Sequence, residues 1–263
     1  MYNIHNFYPV NHKSKEMIFK RFLPIILILL TINGWSSNAY KDSLVNNVFV
    51  SIYNQRFDQA EEMLTQYRIY IDPFYAEVLN IDLHWWKYSS TRSKEDAKNL
   101  TSLLNTSEYA SSNIQQSKIN QLIKKSYELR YERKRYNLIR VVVIRSQINE
   151  LLDEINNDQL TISGDQLKLF DLYTTMFMYF SNVNPFTVKS GNSQQKNYLI
   201  QMGHYTMDDD LILNTMAHYF LGRIYQKVKK DASKGKMHFE VLTSKFPDNK
   251  LFAEYLEDCE RKI

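Results

Sequence analysis

Glycine and proline are scarce in this 263-residue chain, at 6 and 5 residues. Sandwiches, barrels and most α/β enzymes need both at many turns, so the shortage works against all three. The glycines, at 34, 164, 191, 203, 222 and 235, are too widely spaced for a G-x-G-x-x-G dinucleotide loop or a G-x-x-x-x-G-K-[ST] phosphate loop. There is no G-x-S-x-G nucleophile elbow and no H-E-x-x-H zinc motif. Cys259 is the single cysteine, so no internal disulfide can form and stability has to come from side-chain burial. It falls on an apolar helix face, which suits an inert thiol better than a nucleophile. A strong excess of one charge is missing too. The formal net is +4, and most of it comes from Lys13, Lys15, Lys20 and Arg21 against Glu16. The near-neutral remainder gives no electrostatic footing for nucleic acid.

Long apolar runs are limited to one, Phe22 to Ile32, well short of the roughly 20 residues that span a bilayer. Lys20 and Arg21 precede it and Ser37-Asn38-Ala39 follow it. A basic start, a short apolar middle and small residues at the −3 and −1 positions are the parts of a secretory signal. The expectation is therefore that residues 1–39 are an export signal, with residues 1–16 an upstream extension if synthesis starts at Met17. Cleavage after Ala39 would leave a mature domain of 40–263, periplasmic or secreted, with no integral membrane span. An uncleaved anchor is the rival. No cysteine follows the run, so a lipoprotein is not expected.

What is present is helical periodicity. Leu44, Val48 and Ile52 recur at i, i+4, i+8, and Phe57, Ala60, Leu64 and Tyr67 continue after a break. Pro73 opens a segment carrying Ala76, Leu79, Leu83 and Trp86. Ser93 with Asp96 marks a helix start. Ile114 to Arg135, Leu138 to Ile155, Leu167 to Phe180 and Gln194 to Met202 follow, with a loop expected over Asn182 to Ser193. Asp208-Asp209-Asp210 place acids at the positive end of a helix from Leu211 to Val228. A helix ending at Pro247 and another from Lys250 to Lys262 close the chain. The run Val141-Val142-Val143-Ile144 sits within a 3.6-residue period and is expected as buried helix. The fold class is all-α, with about eleven helices in antiparallel pairs. Each pair is too small to hide its apolar stripe alone, so stacked pairs are expected, an α-solenoid.

His218-x₂-Leu221-Gly222-x₂-Tyr225, then Gly235-x₃-Phe239, then Pro247 resembles a tetratricopeptide repeat. Two departures stand out: His218 stands where the pattern has a large aromatic, and the turn holds one extra residue. Phe57-Asp58-Gln59-Ala60, Leu64 and Pro73 echo the pattern more weakly. The resemblance implies a right-handed superhelix whose concave face is lined by the first helix of each pair. It also implies binding of a peptide or protein there, without catalysis. Carried over to this chain, Tyr219, Arg223 and Gln226 would point inward.

Other clusters admit competing readings. In Asp82-x-His84-Trp85-Trp86 the two tryptophans lie about 100° apart on a helix, so one stripe cannot bury both equally. Trp85 is the candidate for an exposed stacking platform. Lys124, Lys125, Arg130, Arg133, Lys134, Arg135, Arg140 and Arg145 form a basic belt relieved by Glu128 and Glu132. It reads as a solvated face or as a dock for an acidic partner. His204, His218 and His238 do not have helical ligand spacing, and no metal or cofactor is expected. The reading is an exported, non-enzymatic helical-repeat scaffold for a protein or peptide, with Tyr219, Arg223, Gln226 and Trp85 as contact residues. The alternative is a glycan-binding module built on exposed aromatics. An enzyme with a dispersed site would instead need a deep pocket holding several ionisable groups.

Overall fold

The computed structural model describes residues 42–106, 113–157, 164–181 and 193–263. The export segment, its cleavage point and the expected loop from Asn182 lie outside these. Among the described residues there are eleven α-helices and no strand, and apart from residues 42 and 43 at the start of the first they belong to one unit, 44–263. They are α1 (42–53), α2 (Phe57–Tyr67), α3 (Pro73–Thr91), α4 (Lys94–Asn105), α5 (Ile114–Lys134), α6 (Leu138–Asn157), α7 (Asp165–Ser181), α8 (Ser193–His204), α9 (Leu211–Ile224), α10 (Ala232–Lys245) and α11 (Lys250–Glu260).

The starts follow side-chain chemistry. Asp72 accepts from the Phe74 N–H at 2.8 Å ahead of Pro73, Ser93 from the Asp96 N–H at 3.0 Å, and Asp210 from the Leu213 N–H at 2.8 Å. Each satisfies a donor that the first helical turn leaves without a carbonyl. Consecutive helices pack as pairs, and α3, α5, α7 and α9 also stand side by side in that order.

The row then closes on itself. Tyr53 of α1 meets Trp86 of α3 with ring centroids 5.1 Å apart and Phe252 of α11 at 6.2 Å. Asn249 donates to the Tyr53 carbonyl at 2.6 Å, and Arg56 pairs with Asp248 at 2.7 Å. Trp86 also touches Tyr219 of α9 and Phe252, each at 5.2 Å. The first and last pairs therefore share one core.

The α9–α10 hairpin is built on close approach. A Cβ on Gly222 would stand 2.9 Å from the Phe239 ring, and one on Gly235 3.1 Å from Cys259 Sγ and 3.3 Å from the Gln226 nitrogen. The extra residue of the turn also has a structural home. Tyr225–Lys229 forms a π turn, with the Lys230 N–H bonded to the Tyr225 carbonyl. A π turn holds one residue more than an α turn. The position expected to be aromatic, His218, faces His238, with the two Nδ1 atoms 3.1 Å apart. Spacing along one helix did not unite these histidines; the hairpin does. Burial and the neighbouring imidazole hold His238 down to about 4. Among the described residues no group of three metal-ligating side chains forms.

Two sequence expectations need correction. Trp85 and Trp86 are both buried, because α3 is enclosed on two sides and no single stripe describes it. In the valine run, Val141 and Ile144 are buried but Val142 and Val143 face solvent, because α6 packs on α5 with one face only.

Candidate functional site

A polar knot lies where α1, α3, α5 and α7 meet. The Asp82 carboxylate is fully enclosed and accepts the hydroxyls of Tyr127 and, at 3.3 Å, Tyr53. Tyr173 in turn donates to the Tyr127 oxygen at 3.2 Å. Burial pushes the Asp82 carboxyl up to about 6, against the opposing pull of the Tyr127 hydroxyl, the Arg130 charge and the Tyr53 hydroxyl. Burial likewise raises Tyr53 and Tyr127 well above the usual phenol range.

Next to this knot, on the inner side of the row, lies a cavity of about 310 Å³. Every residue lining it comes from a first helix of a pair, from α11 or from the π turn. From α3 come Trp85 and Ser89, and from α5 Ser126, Leu129, Arg130, Arg133 and Lys134. Met176, Phe177 and Phe180 of α7 form the apolar wall. Tyr219, Phe220 and Arg223 of α9, Lys227 and Val228 of the π turn, and Tyr255 of α11 complete it. First helices of four successive pairs thus contribute to one cavity.

The cations of the cavity sit on aromatic faces. The Arg130 guanidinium carbon lies 4.3 Å from the Trp85 ring centre, 4.7 Å from Tyr127 and 5.2 Å from Tyr219. Its Nη2 donates to the Tyr219 hydroxyl at 2.9 Å, while its Nη1 is buried and has no hydrogen-bond partner. Arg133 lies 5.3 Å from Phe180, Lys134 5.1 Å from Tyr88, and Arg223 4.1 Å from Tyr255. Such contacts orient a cation without neutralising it. No Asp or Glu lines the cavity. Among the described residues none of Arg130, Arg133, Lys134 and Arg223 forms an ion pair; only Lys227 does, with Asp258 at 3.0 Å. Partial burial, with Arg92, Arg130 and Arg223 nearby, lowers the affinity of Lys134 for its proton. Burial and Arg145 act the same way on Arg133.

Three of the four anticipated residues, Trp85, Tyr219 and Arg223, line this one cavity. Gln226 does not. It is buried against α11, donating to the Tyr255 carbonyl at 3.1 Å and to Asp258 at 2.9 Å, and accepting from Arg223 at 2.7 Å. Trp85 is not the exposed platform expected of it, because Arg130 covers one face and Tyr127 meets it edge-on at 5.5 Å.

The basic belt divides into separate fates. Lys124 is buried and donates to the Thr106 carbonyl at 2.9 Å, with Glu77 3.5 Å away. Lys125 and Arg140 converge on Glu128. Only Arg130, Arg133 and Lys134 enter the cavity. Met176, Phe177, Phe220 and Tyr255 carried no sequence signal of a site, since each falls on an ordinary apolar stripe. Tyr127, Arg130 and Lys134, at i, i+3 and i+7, did carry one: a single helix face mixing an aromatic with cations.

Past the mouth of the cavity is a second depression of about 430 Å³. It shares Ser89, Lys134, Arg223, Lys227 and Tyr255 and adds Arg92, Leu251, Glu254, Glu257, Asp258 and Arg261. No described helix is long and apolar enough to cross a membrane. No family model, no curated protein and no solved structure matches the chain.

Proposed function

We propose that the chain is an exported, non-enzymatic helical-repeat protein that binds a polypeptide partner. In this reading its pairs wind in the right-handed sense of tetratricopeptide repeats, and the partner sits at the mouth of the inner face. The observation that carries it is the convergence of first-helix side chains from successive pairs, with Trp85, Tyr219 and Arg223 among them, on one concave region. The depression beside the mouth, rimmed by Arg92, Glu254, Glu257 and Arg261, supplies charges of both signs for a polypeptide to pair with. The enzyme alternative called for a pocket with several ionisable groups. Those present are cations and two tyrosines, with no carboxylate, imidazole or thiol to work beside Lys134. The glycan alternative needs an open aromatic face, and Trp85 has a guanidinium on one of its own.

A photoreactive residue at Arg92, on the rim, tests the reading against one at Met237, exposed on α10 away from the mouth. Irradiation in the native source should give a polypeptide adduct from position 92 and none from 237. Equal adducts at both positions, or none at 92, would count against a partner at the mouth.

A further inference from the structure

We propose that the cavity itself binds a small organic anion: an oxyanion, carboxylate or phosphate monoester, joined to an aromatic or branched apolar body. This goes beyond partner binding at the mouth and does not rest on it.

The floor of the cavity asks for negative charge. Arg130 is fixed by its aromatic neighbours and by Tyr219, yet its Nη1 has no partner. A buried donor left without an acceptor is a rarity in folded proteins, and an oxyanion oxygen is the strongest acceptor it could meet. Arg133, Lys134 and Arg223 converge on the same space without an acid among the lining. Asp82, behind the wall, acts on Arg130 through its field but forms no ion pair with it. Four cations gathered without a carboxylate repel one another, and an anion in their midst relieves that repulsion.

The walls ask for an apolar body. Met176, Phe177 and Phe220 offer hydrocarbon beside the cations. A volume of about 310 Å³ lies at the small end of the range for ligand sites. It holds roughly ten water-sized volumes, which suits a compact aromatic acid rather than a polymer. Outside the mouth Glu254, Glu257 and Asp258 alternate with Arg92, Lys227 and Arg261, so the uncompensated cations are those inside the cavity.

The probe is anilinonaphthalene sulfonate, an aromatic anion whose emission rises in an apolar site, titrated into the full chain at low salt. One saturable site is expected, displaced by phenyl phosphate and by phenylpropanoate. Phenylpropanol, of similar shape but neutral, and inorganic phosphate, charged but without the ring, should each compete at least about tenfold more weakly. Arg130→Met should weaken the probe about 30-fold or more, as truncating a buried charge partner does. Because Arg130 also seats on aromatic rings, Arg223→Gln at the rim is the second variant, with a loss of about fivefold. Ile139→Ser, on the exposed apolar face of α6, should change nothing. The proposal is overturned if phenylpropanol competes as well as phenylpropanoate, or inorganic phosphate as well as phenyl phosphate. It is equally overturned if Ile139→Ser removes the signal while both arginine variants keep it. None of these results bears on the crosslink at position 92.

Discussion

On one side of α5, Lys125 lies 2.8 Å from Glu128, and Arg140 reaches across from α6 to the same carboxylate at 2.9 Å. On the other side, within the next two turns, Arg130, Arg133 and Lys134 meet aromatic rings and no acid at all. The residue types are the same and the helix is the same. The difference is in what the neighbouring helix brings. Toward α6 the second helix of the pair closes a charge network that belongs to the fold. Toward the inside, the first helices of other pairs supply hydrocarbon and hydroxyls, and the charges are left available.

Breaking the satisfied side should cost the most stability. Glu128 is buried, and Glu128→Ala removes the shared partner of two partly solvated cations, so a loss of about 2 kcal/mol is expected in urea unfolding. Loss of under about 0.5 kcal/mol would mean that the network is decorative.

The one carboxylate behind the cavity wall gives the next test. Asp82 has its affinity for a proton raised in the folded state, to about 6. Its stabilising contribution is therefore complete below the unfolded value near 4 and is lost as pH climbs through 6. His238, held down to about 4, runs the other way, its contribution complete above about 6.5 and lost as pH falls. The two windows overlap and oppose. Asp82→Asn should gain on wild type by about 2 kcal/mol between pH 4.5 and 7, exposing a rise in stability with pH that comes from the histidine pair. Unfolding curves at several pH values check the slope, and parallel curves for the two proteins would contradict it.

Giving the open side an acid should move stability less. Val228→Glu, at the half-buried rim, is expected to add about 1 kcal/mol, a rise of a few degrees in Tm, and to abolish probe binding. Smallest of all, Lys134→Gln should raise stability by a few tenths of a kcal/mol at low salt, with the gain fading as salt is added.

Much of the helical layout was legible. Pro73, Ser93 and Asp210 mark their helix starts by chemistry that acts within one turn, and local chemistry can be read from a string. The repeat signature marked Gly222 and Gly235 as points of close approach; the Phe239 ring lies against Gly222, and Cys259 and Gln226 against Gly235, and the surplus residue after Tyr225 became the π turn. What could not be read was which faces meet at long range. One stripe per helix predicts one buried tryptophan on α3; two are buried because α9 and α11 return to cover Trp86 while Tyr127 and Arg130 of α5 cover Trp85. Gln226 points at α11 rather than inward because the π turn changes the helical register there. The belt on α5 looked uniform, since nothing within α5 distinguishes the cations that Glu128 gathers from those it leaves.

The meeting of α1 with α11 has a consequence for how the molecule comes into being. Tyr53 and Asn249 are separated by 196 positions along the chain. During synthesis the leading hairpin emerges while the residues that cover it are still to be added, so its apolar face must wait. The closed row also fixes its own length. An ordinary stack grows by adding another hairpin at either end; here an inserted pair would drive apart the two ends that Tyr53, Asn249 and Phe252 join.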